Sequence, residues 1–269
     1  MQMFLRKGLT LISALLVLGA AATATAEASN STTAFTCLKG EVKGPGFSKA
    51  HCKAADAVGS NAGFSHVAIP PAESTETRWT NETTGANTEA ATIMLIKATL
   101  TPEFVLQLQA TGVSGTGVTE NRLEGVEHSV ESRAVIQFTG VTAGGTGGKG
   151  CVVKEGKITT TELKITTVGQ GMSLKLAPVI PKEPFATFVL EGCLLASLNG
   201  ARTFNGSVNA IPDGATTNLS HAEITASKTL TLGTGSVLVG FEGPITASAR
   251  VKGSGGAYTP LSFTTVETP

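Results

Sequence analysis

Four cysteines are the residues whose type most directly implies covalent chemistry, and an even number in an oxidising compartment indicates disulfides. They are Cys37, Cys52, Cys151 and Cys193. Three pairings are formally open, and proximity along the chain favours Cys37 with Cys52 and Cys151 with Cys193. A zinc site is disfavoured, because the gap between the first two far exceeds the roughly two to four residues of a zinc knuckle, although His51 adjoins Cys52. We therefore predict two disulfides, no metal site and no cofactor.

Hydrolytic chemistry would need a nucleophile, a histidine and an orienting acid held together. The nearest match to a G-x-S-x-G elbow is Gly112, Val113, Ser114 and Gly115, but Thr116 stands in place of the last glycine. A lone histidine in a strand is more often a hydrogen-bonded structural residue than a base. We predict a protein without enzymatic activity. The alternative is a secreted hydrolase with an unrecognised active site, which would use a nearby carboxylate and one of the histidines His66, His128 or His221.

Two further segments resemble chemical sites only in part. Residues 143–150 read AGGTGGKG, but a phosphate loop needs a hydroxyl residue after its lysine and a helix beyond it. Here Gly150 follows Lys149 and a strand-like sequence comes next, so we predict a flexible hairpin loop. Four glutamates that lie close in sequence could supply paired carboxylates for sugar hydrolysis, but their spacing fits better a solvated strand edge that resists aggregation. They are Glu120, Glu124, Glu127 and Glu131.

Trp79 is the only tryptophan, and it falls in the polar segment 70–90, which we interpret as a linker or loop. A lone indole there could stack on a sugar or a partner, and the alternative is that it folds back to cover the edge of the core. We single out Trp79 as a candidate ligand contact. A carbohydrate-binding module is accordingly a second alternative function.

Composition and the N-terminus restrict the class of protein. Residues 1–26 combine Arg6 and Lys7, an apolar run and the small-residue sequence Ala24, Thr25, Ala26, which predicts a secretory signal peptide with a cleavage site. The apolar run is too short for a comfortable membrane span of about 20 residues, so no integral membrane segment is expected in the mature chain. A formal net charge of zero disfavours nucleic acid as a partner.

Period-two alternation of apolar and polar residues recurs after the polar segment and predicts half-buried strands. Clear cases are Phe104, Leu106 and Leu108, and then Ala134, Ile136 and Phe138. Residues 90–100 would also suit a buried helical turn, although their length and flanking threonines favour a strand. We predict an all-β chain, an antiparallel β-sandwich or partly closed barrel. Its expected parts are a signal peptide (1–26), a Cys-stapled N-terminal unit (27–69), the polar linker or loop (70–90) and the sandwich domain (91–269).

Several short motifs are spread over the chain: Phe35-Thr36-Cys37, His51-Cys52-Lys53, His66 to Pro70, Gly169 to Met172, Glu191-Gly192-Cys193 and Pro212 to Ala215. Together they resemble a group of secreted, β-rich, uncharacterised proteins of high-GC actinobacteria. The resemblance implies secretion and a β fold, and it implies no site residues. We expect an extracellular or envelope-associated protein with a binding or structural role, whose partner is an envelope component or a glycan. The loops expected to bind are residues 70–90 and 140–150.

Overall fold

The computed structural model describes a β protein built from several antiparallel sheets. The described residues are 33–40, 46–48, 57–58, 63–71, 73–81, 92–101, 103–124, 127–168, 173–212, 222–225, 231–232, 236–242, 244–252 and 254–264. The all-β prediction is confirmed, because strands dominate the described part and only two single 3-10 turns occur there, at Lys154–Gly156 and Ala196–Leu198. Within that part, no helix has the length and hydropathy that crossing a bilayer requires.

The strands are numbered in chain order. The first eleven are β1 Thr33–Lys39, β2 Gly46–Phe47, β3 Ala57–Val58, β4 Phe64–Ala68, β5 Thr75–Thr80, β6 Ile93–Thr101, β7 Phe104–Ala110, β8 Gly112–Glu124, β9 Glu127–Thr139, β10 Thr142–Gly144 and β11 Val152–Val153. The others are β12 Lys157–Thr160, β13 Leu163–Val168, β14 Ser173–Pro178, β15 Ala186–Glu191, β16 Gly200–Asn205, β17 Val208–Pro212, β18 Ala222–Thr225, β19 Thr231–Leu232, β20 Ser236–Glu242, β21 Pro244–Ala249 and β22 Thr259–Thr264.

The hairpin of β8 and β9 is the centre of the fold, with thirteen residues in each strand. Its register runs without interruption from Gly112 opposite Thr139 to Glu124 opposite Glu127. Alternation sorts the side chains of β9, because Ala134, Ile136 and Phe138 are buried while the residues between them face outward. The inward faces predicted for β7 and β9 are therefore confirmed, and β6 shows that residues 93–101 form a strand rather than a helical turn.

Neither strand of this hairpin is a sheet edge. β5 pairs with the outer side of β8, and β12 and β13 both pair with β9. Successive pairings lead from β5 through β8, β9, β13, β14, β17, β18 and β21 and back to β5. The sheet is therefore strongly curved, and its concave side contributes to one continuous cluster of buried apolar side chains.

The N-terminal strands join this body through the C-terminal strand. β1 lies between β4 and β22, and β22 also pairs with β21. The buried amide of Asn121 reinforces the junction: its Oδ1 accepts from Ala34 N at 2.8 Å, and its Nδ2 donates to the carbonyls of Ala34 at 3.0 Å and Ile69 at 2.7 Å. Because an unsatisfied buried backbone group is costly, Asn121 fixes β1 and the residue that follows β4 against β8.

The disulfide between Cys151 and Cys193 is confirmed, and it staples β11 beside β15. Cys37 is also disulfide-bonded, and the partner predicted for it, Cys52, lies outside the described residues. The glycine-rich loop that precedes Cys151 is held by Thr146, whose hydroxyl donates to the Glu103 carbonyl at 2.8 Å and accepts from Val105 N at 2.9 Å. This loop packs against β7 and is not followed by a helix.

The prediction of a polar linker or loop over residues 70–90 is wrong for its described centre. Thr75–Thr80 form β5, which has a partner strand on each side. Thr75, Thr77 and Trp79 face the core, while the polar residues between them face outward. The alternation is hard to recognise in the sequence, because two of the three buried positions of β5 are threonines and the whole segment therefore reads as polar.

Candidate functional site

The outward face of β5, β8, β9 and β12 carries an open depression of about 540 Å³. Its lining consists of Arg78, Ser114, Gly115, Thr116, Val135, Gln137, Thr159 and Tyr258. These residues come from distant parts of the chain, and the strand pairing alone brings them together. The register places Arg78 opposite Thr116, Thr116 opposite Val135, and Ser114 opposite Gln137.

Trp79 follows Arg78 in β5, and its side chain points into the core on the side of the sheet opposite the depression. Its side chain is only 2 % exposed and belongs to the core cluster, so it cannot stack on a ligand from solvent. The expectation of a ligand contact at Trp79 is therefore corrected, and the burial that the sequence also allowed is what the structure shows. Gly115 lies opposite Trp79, and a Cβ at Gly115 would lie 3.2 Å from the Trp79 Cβ. The glycine gives the indole room, and the buried indole turns Arg78 outward.

Tyr258 stands at one end of the depression, just before β22. The Arg250 guanidinium lies 4.6 Å from the centre of its ring, and the phenol donates a hydrogen bond to Glu76. Arg250 also pairs with Glu76 at 3.1 Å. The hydrogen bond to Glu76, aided by desolvation, raises the pKa of Tyr258 although Arg250 and Arg78 act in the opposite direction. The phenol therefore stays protonated and keeps a fixed orientation.

A row of hydroxyl and amide side chains crosses the depression and continues beyond it. Direct cross-strand partners run from Thr80 to Ser114, Gln137, Thr159, Thr187 and Thr203, on β5, β8, β9, β12, β15 and β16. None of the six is buried. Gln137 Nε2 donates to Thr159 Oγ1 at 3.4 Å, so neighbouring members are within contact. With strands about 4.8 Å apart, the row is about 24 Å long.

Buried neighbours hold this row on the outer face. Ile136, Ile158, Phe188 and Phe204 are next to its members in sequence and are at most 4 % exposed. The rings of Phe188 and Phe204 are 4.5 Å apart at their centroids. Because successive side chains of a strand point to opposite faces, burial of these four residues requires the polar row to point outward.

A charged cluster lies on the same face, farther along β8 and β9. The Glu131 carboxylate accepts from Lys164 Nζ at 2.8 Å, Arg122 Nη1 at 2.9 Å and Arg133 Nε at 3.3 Å. Glu120 stands directly opposite Glu131, and Arg122 also reaches Glu120 at 3.7 Å. Burial raises the pKa of Glu131, but hydrogen bonds from Lys164 and Arg133 and the charge of Arg122 outweigh it, so the pKa is lowered.

The glutamate prediction is therefore wrong for Glu131. Its side chain is only 6 % exposed and it lies on an internal strand, so it is not part of a solvated edge. The like charges of Glu120 and Glu131 would repel each other across the strands, and Arg122 bridges them. This cluster joins β8, β9 and β13 and leaves Glu131 no open side for a substrate.

The other residues singled out in sequence do not meet at the depression. Ser114 is the exception, but it lies within β8 and not on a sharp elbow. His66 and His128 are described only by their backbones, in β4 and β9, and His51 and His221 lie outside the described residues. The hydrolase alternative stays a prediction. In the described part of the chain, no group of three metal-ligating side chains forms.

The depression offers recognition chemistry. Its lining provides one guanidinium, one phenol, one amide and three hydroxyls, with Val135 as an apolar surface that is 42 % exposed. Such groups bind by hydrogen bonds and van der Waals contact. Comparisons with models of known protein families, with curated proteins and with solved structures find no match.

Proposed function

We propose that this chain is a secreted, non-enzymatic binding protein that recognises a glycan on the outward face of β5, β8, β9 and β12. The observation that carries the proposal is the in-register row of hydroxyl and amide side chains that crosses the depression. Export is supported by the signal-like residues 1–26 and by the Cys151–Cys193 disulfide, which oxidising compartments favour. The resemblance to secreted actinobacterial proteins points to the same location, on the cell envelope or outside it.

Sugar chemistry matches the lining. A sugar presents hydroxyl groups around its rim and C–H groups on its faces, so it needs short polar side chains beside a small apolar surface. Gln137 can donate and accept through one amide, and the Ser114, Thr116 and Thr159 hydroxyls can do both as well. Val135 supplies the apolar contact in their midst. The open shape suits a segment of a chain better than a small molecule, which would be largely enclosed.

The row also favours an extended ligand. Its members repeat at the strand spacing of about 4.8 Å, which is close to the length of one hexose unit in an extended polysaccharide. A linear glycan that lies across the strands would meet one polar side chain for each sugar. Thr187 and Thr203 would then contact units beyond the depression.

The test is calorimetric titration of the purified protein with neutral and acidic linear oligosaccharides of two to eight sugars. We expect affinity to rise with length, and Gln137→Ala to weaken binding about tenfold, which matches the loss of one or two hydrogen bonds. The matched control is Thr99→Val, which changes an exposed threonine of β6, outside the row. Lack of binding across the panel, or equal losses for Gln137→Ala and Thr99→Val, would refute the proposal.

A further inference from the structure

Arg78 differs from the other described arginines because its guanidinium has no partner among the residues that the structure describes. Five of the six arginines are described. Arg122 and Arg133 pair with Glu131, Arg250 pairs with Glu76, and Arg202 donates to backbone carbonyls that include Asn199. No hydrogen bond or ion pair joins the Arg78 guanidinium to any residue in the described part of the chain, and this side chain lines the depression.

The charges of the described residues around Arg78 leave the charge of its guanidinium uncompensated. Glu76 and Arg250 neutralise each other at the Tyr258 end of the depression. Along β9, Arg133 is the nearest cation, and its charge is directed to Glu131. No carboxylate is among the described residues that line the depression. Among these lining residues the net positive charge therefore comes from Arg78, which is exposed.

The geometry points to the type of anion. A guanidinium presents a planar fork of donors that fits a carboxylate with two parallel hydrogen bonds. A phosphate monoester carries a charge of about −1.5 to −2 at neutral pH, whereas a carboxylate carries one. Because Glu76 and Arg250 neutralise each other, the one remaining positive charge, on Arg78, is matched by a carboxylate better than by a phosphate monoester.

We propose that Arg78 binds the carboxylate of an acidic sugar, so that the preferred ligand is a polysaccharide that contains uronic acids. This inference rests on the proposed glycan-binding function and specifies its ligand. The guanidinium holds the carboxylate at one end of the depression. Gln137 and the neighbouring hydroxyls then bind the sugar hydroxyls, and the polar row sets the direction of the chain across β12 and β15.

The experiment compares one hexamer in two chemical forms. A linear hexamer of galacturonic acid carries six carboxylates, and its methyl ester has the same backbone without charge. By calorimetry at low and high salt, we expect the acid to bind at least tenfold more tightly than the ester at low salt. High salt should narrow this difference, because surface charges are screened within roughly 10 Å at 0.1 M.

Variants at Arg78 test whether this residue causes the preference for the acid over the ester. We expect Arg78→Gln to remove the preference for the acid while changing affinity for the ester less than twofold, and Arg78→Lys to restore part of the preference because it keeps the charge but loses the fork. Lys97→Gln is the matched control, since it removes an equal charge from an exposed position on β6. Circular dichroism and thermal unfolding confirm that each variant folds.

The outcomes separate this inference from the function on which it depends. Equal binding of acid and ester would overturn the role of Arg78 and leave glycan binding intact. Retention of the preference in Arg78→Gln, or its equal loss in Lys97→Gln, would also overturn it. Tenfold tighter binding of a sulfated or phosphorylated hexamer than of the uronic acid would contradict the carboxylate assignment. Binding of no hexamer in any form would refute this inference, and lack of binding across the whole panel of neutral and acidic oligosaccharides would refute the glycan-binding function as well.

Discussion

Two polar regions share the outward face of the β8–β9 hairpin, and they differ in where their hydrogen bonds go. Around Glu131, one carboxylate receives three cations from three positions on β8, β9 and β13. Around Arg78, the guanidinium has no partner in the described part of the chain, and the amide and hydroxyls nearby face solvent. Only Ala134 separates Arg133 from Val135 along β9, so the contrast arises within one short stretch of sheet.

This contrast separates a structural role from a binding role better than residue type does. Both regions contain arginines, and the charges of the Glu131 cluster are more conspicuous in the sequence. The cluster nevertheless uses its charges to join strands, which leaves little for a ligand. The polar side chains of the depression are uncharged except for Arg78, and apart from the Tyr258–Glu76 and Gln137–Thr159 hydrogen bonds their donors and acceptors face solvent in the described part of the chain.

Of the substitutions that test this contrast, Glu131→Gln is expected to have the largest effect, a loss of stability. It removes the charge that three cations share and leaves them to repel one another. Breaking a buried ion pair costs several kcal/mol, and because these cations are partly exposed we expect the free energy of unfolding to fall by about 2 kcal/mol. Urea unfolding measures this change. Glycan affinity should stay within twofold, and a large loss of affinity with unchanged stability would mean that the two roles are reversed.

Protonation of Glu131 at low pH should cause the same loss of stability as the Glu131→Gln substitution. The pKa of Glu131 is lowered in the folded protein from an ordinary value of 4.5, so its stabilising contribution is present above that value and disappears as pH falls through the folded pKa. We expect the stability difference between wild type and Glu131→Gln to be constant between about pH 7 and pH 5 and to shrink below about pH 4.5. Urea midpoints measured over this range and at lower pH test it, and a difference that does not shrink as the pH falls below about 4.5 would contradict it.

The smallest expected effect is on glycan affinity, and it comes from a substitution in the part of the polar row that lies outside the depression. Thr187→Val removes one hydroxyl from an exposed strand position while keeping a β-branched side chain. We expect affinity for a hexamer to fall two- to threefold, about 0.5 kcal/mol, and affinity for a dimer bound in the depression to stay the same. Titration with both oligomers provides the comparison. Equal changes for the two lengths would indicate that the row does not extend the site.

Local pattern was enough to predict much of the fold. The alternation at Leu106 and Leu108, and at Ile136 and Phe138, depends only on which side chains need burial, so strand and face follow directly. The pairing of Cys151 with Cys193 also followed from their separation along the chain. In each case the information lies within a short segment or a chemically unique residue type.

The candidate site was missed because it depends on register between distant strands. Arg78 and Tyr258 are far apart in the sequence. They line the same depression because β5 pairs with both β8 and β21, and because β21 in turn pairs with β22. The dependence on distant strands also explains the wrong predictions for Trp79 and Glu131. Trp79 looked exposed because its neighbours are polar, and Glu131 looked solvated because Arg122 and Lys164 come from other strands.

Mapping of ligand contacts in solution tests the central claim most directly. In an NMR titration of the isotopically labelled protein with the uronic acid hexamer, we predict that backbone amide shifts change mainly in β5, β8, β9 and β12, around Ser114, Gln137 and Thr159, and next to Tyr258. The Glu131 cluster should change little. Shift changes concentrated at the Cys151–Cys193 loops or on β6, or none at saturating hexamer, would contradict the assignment of the outer depression as the binding site.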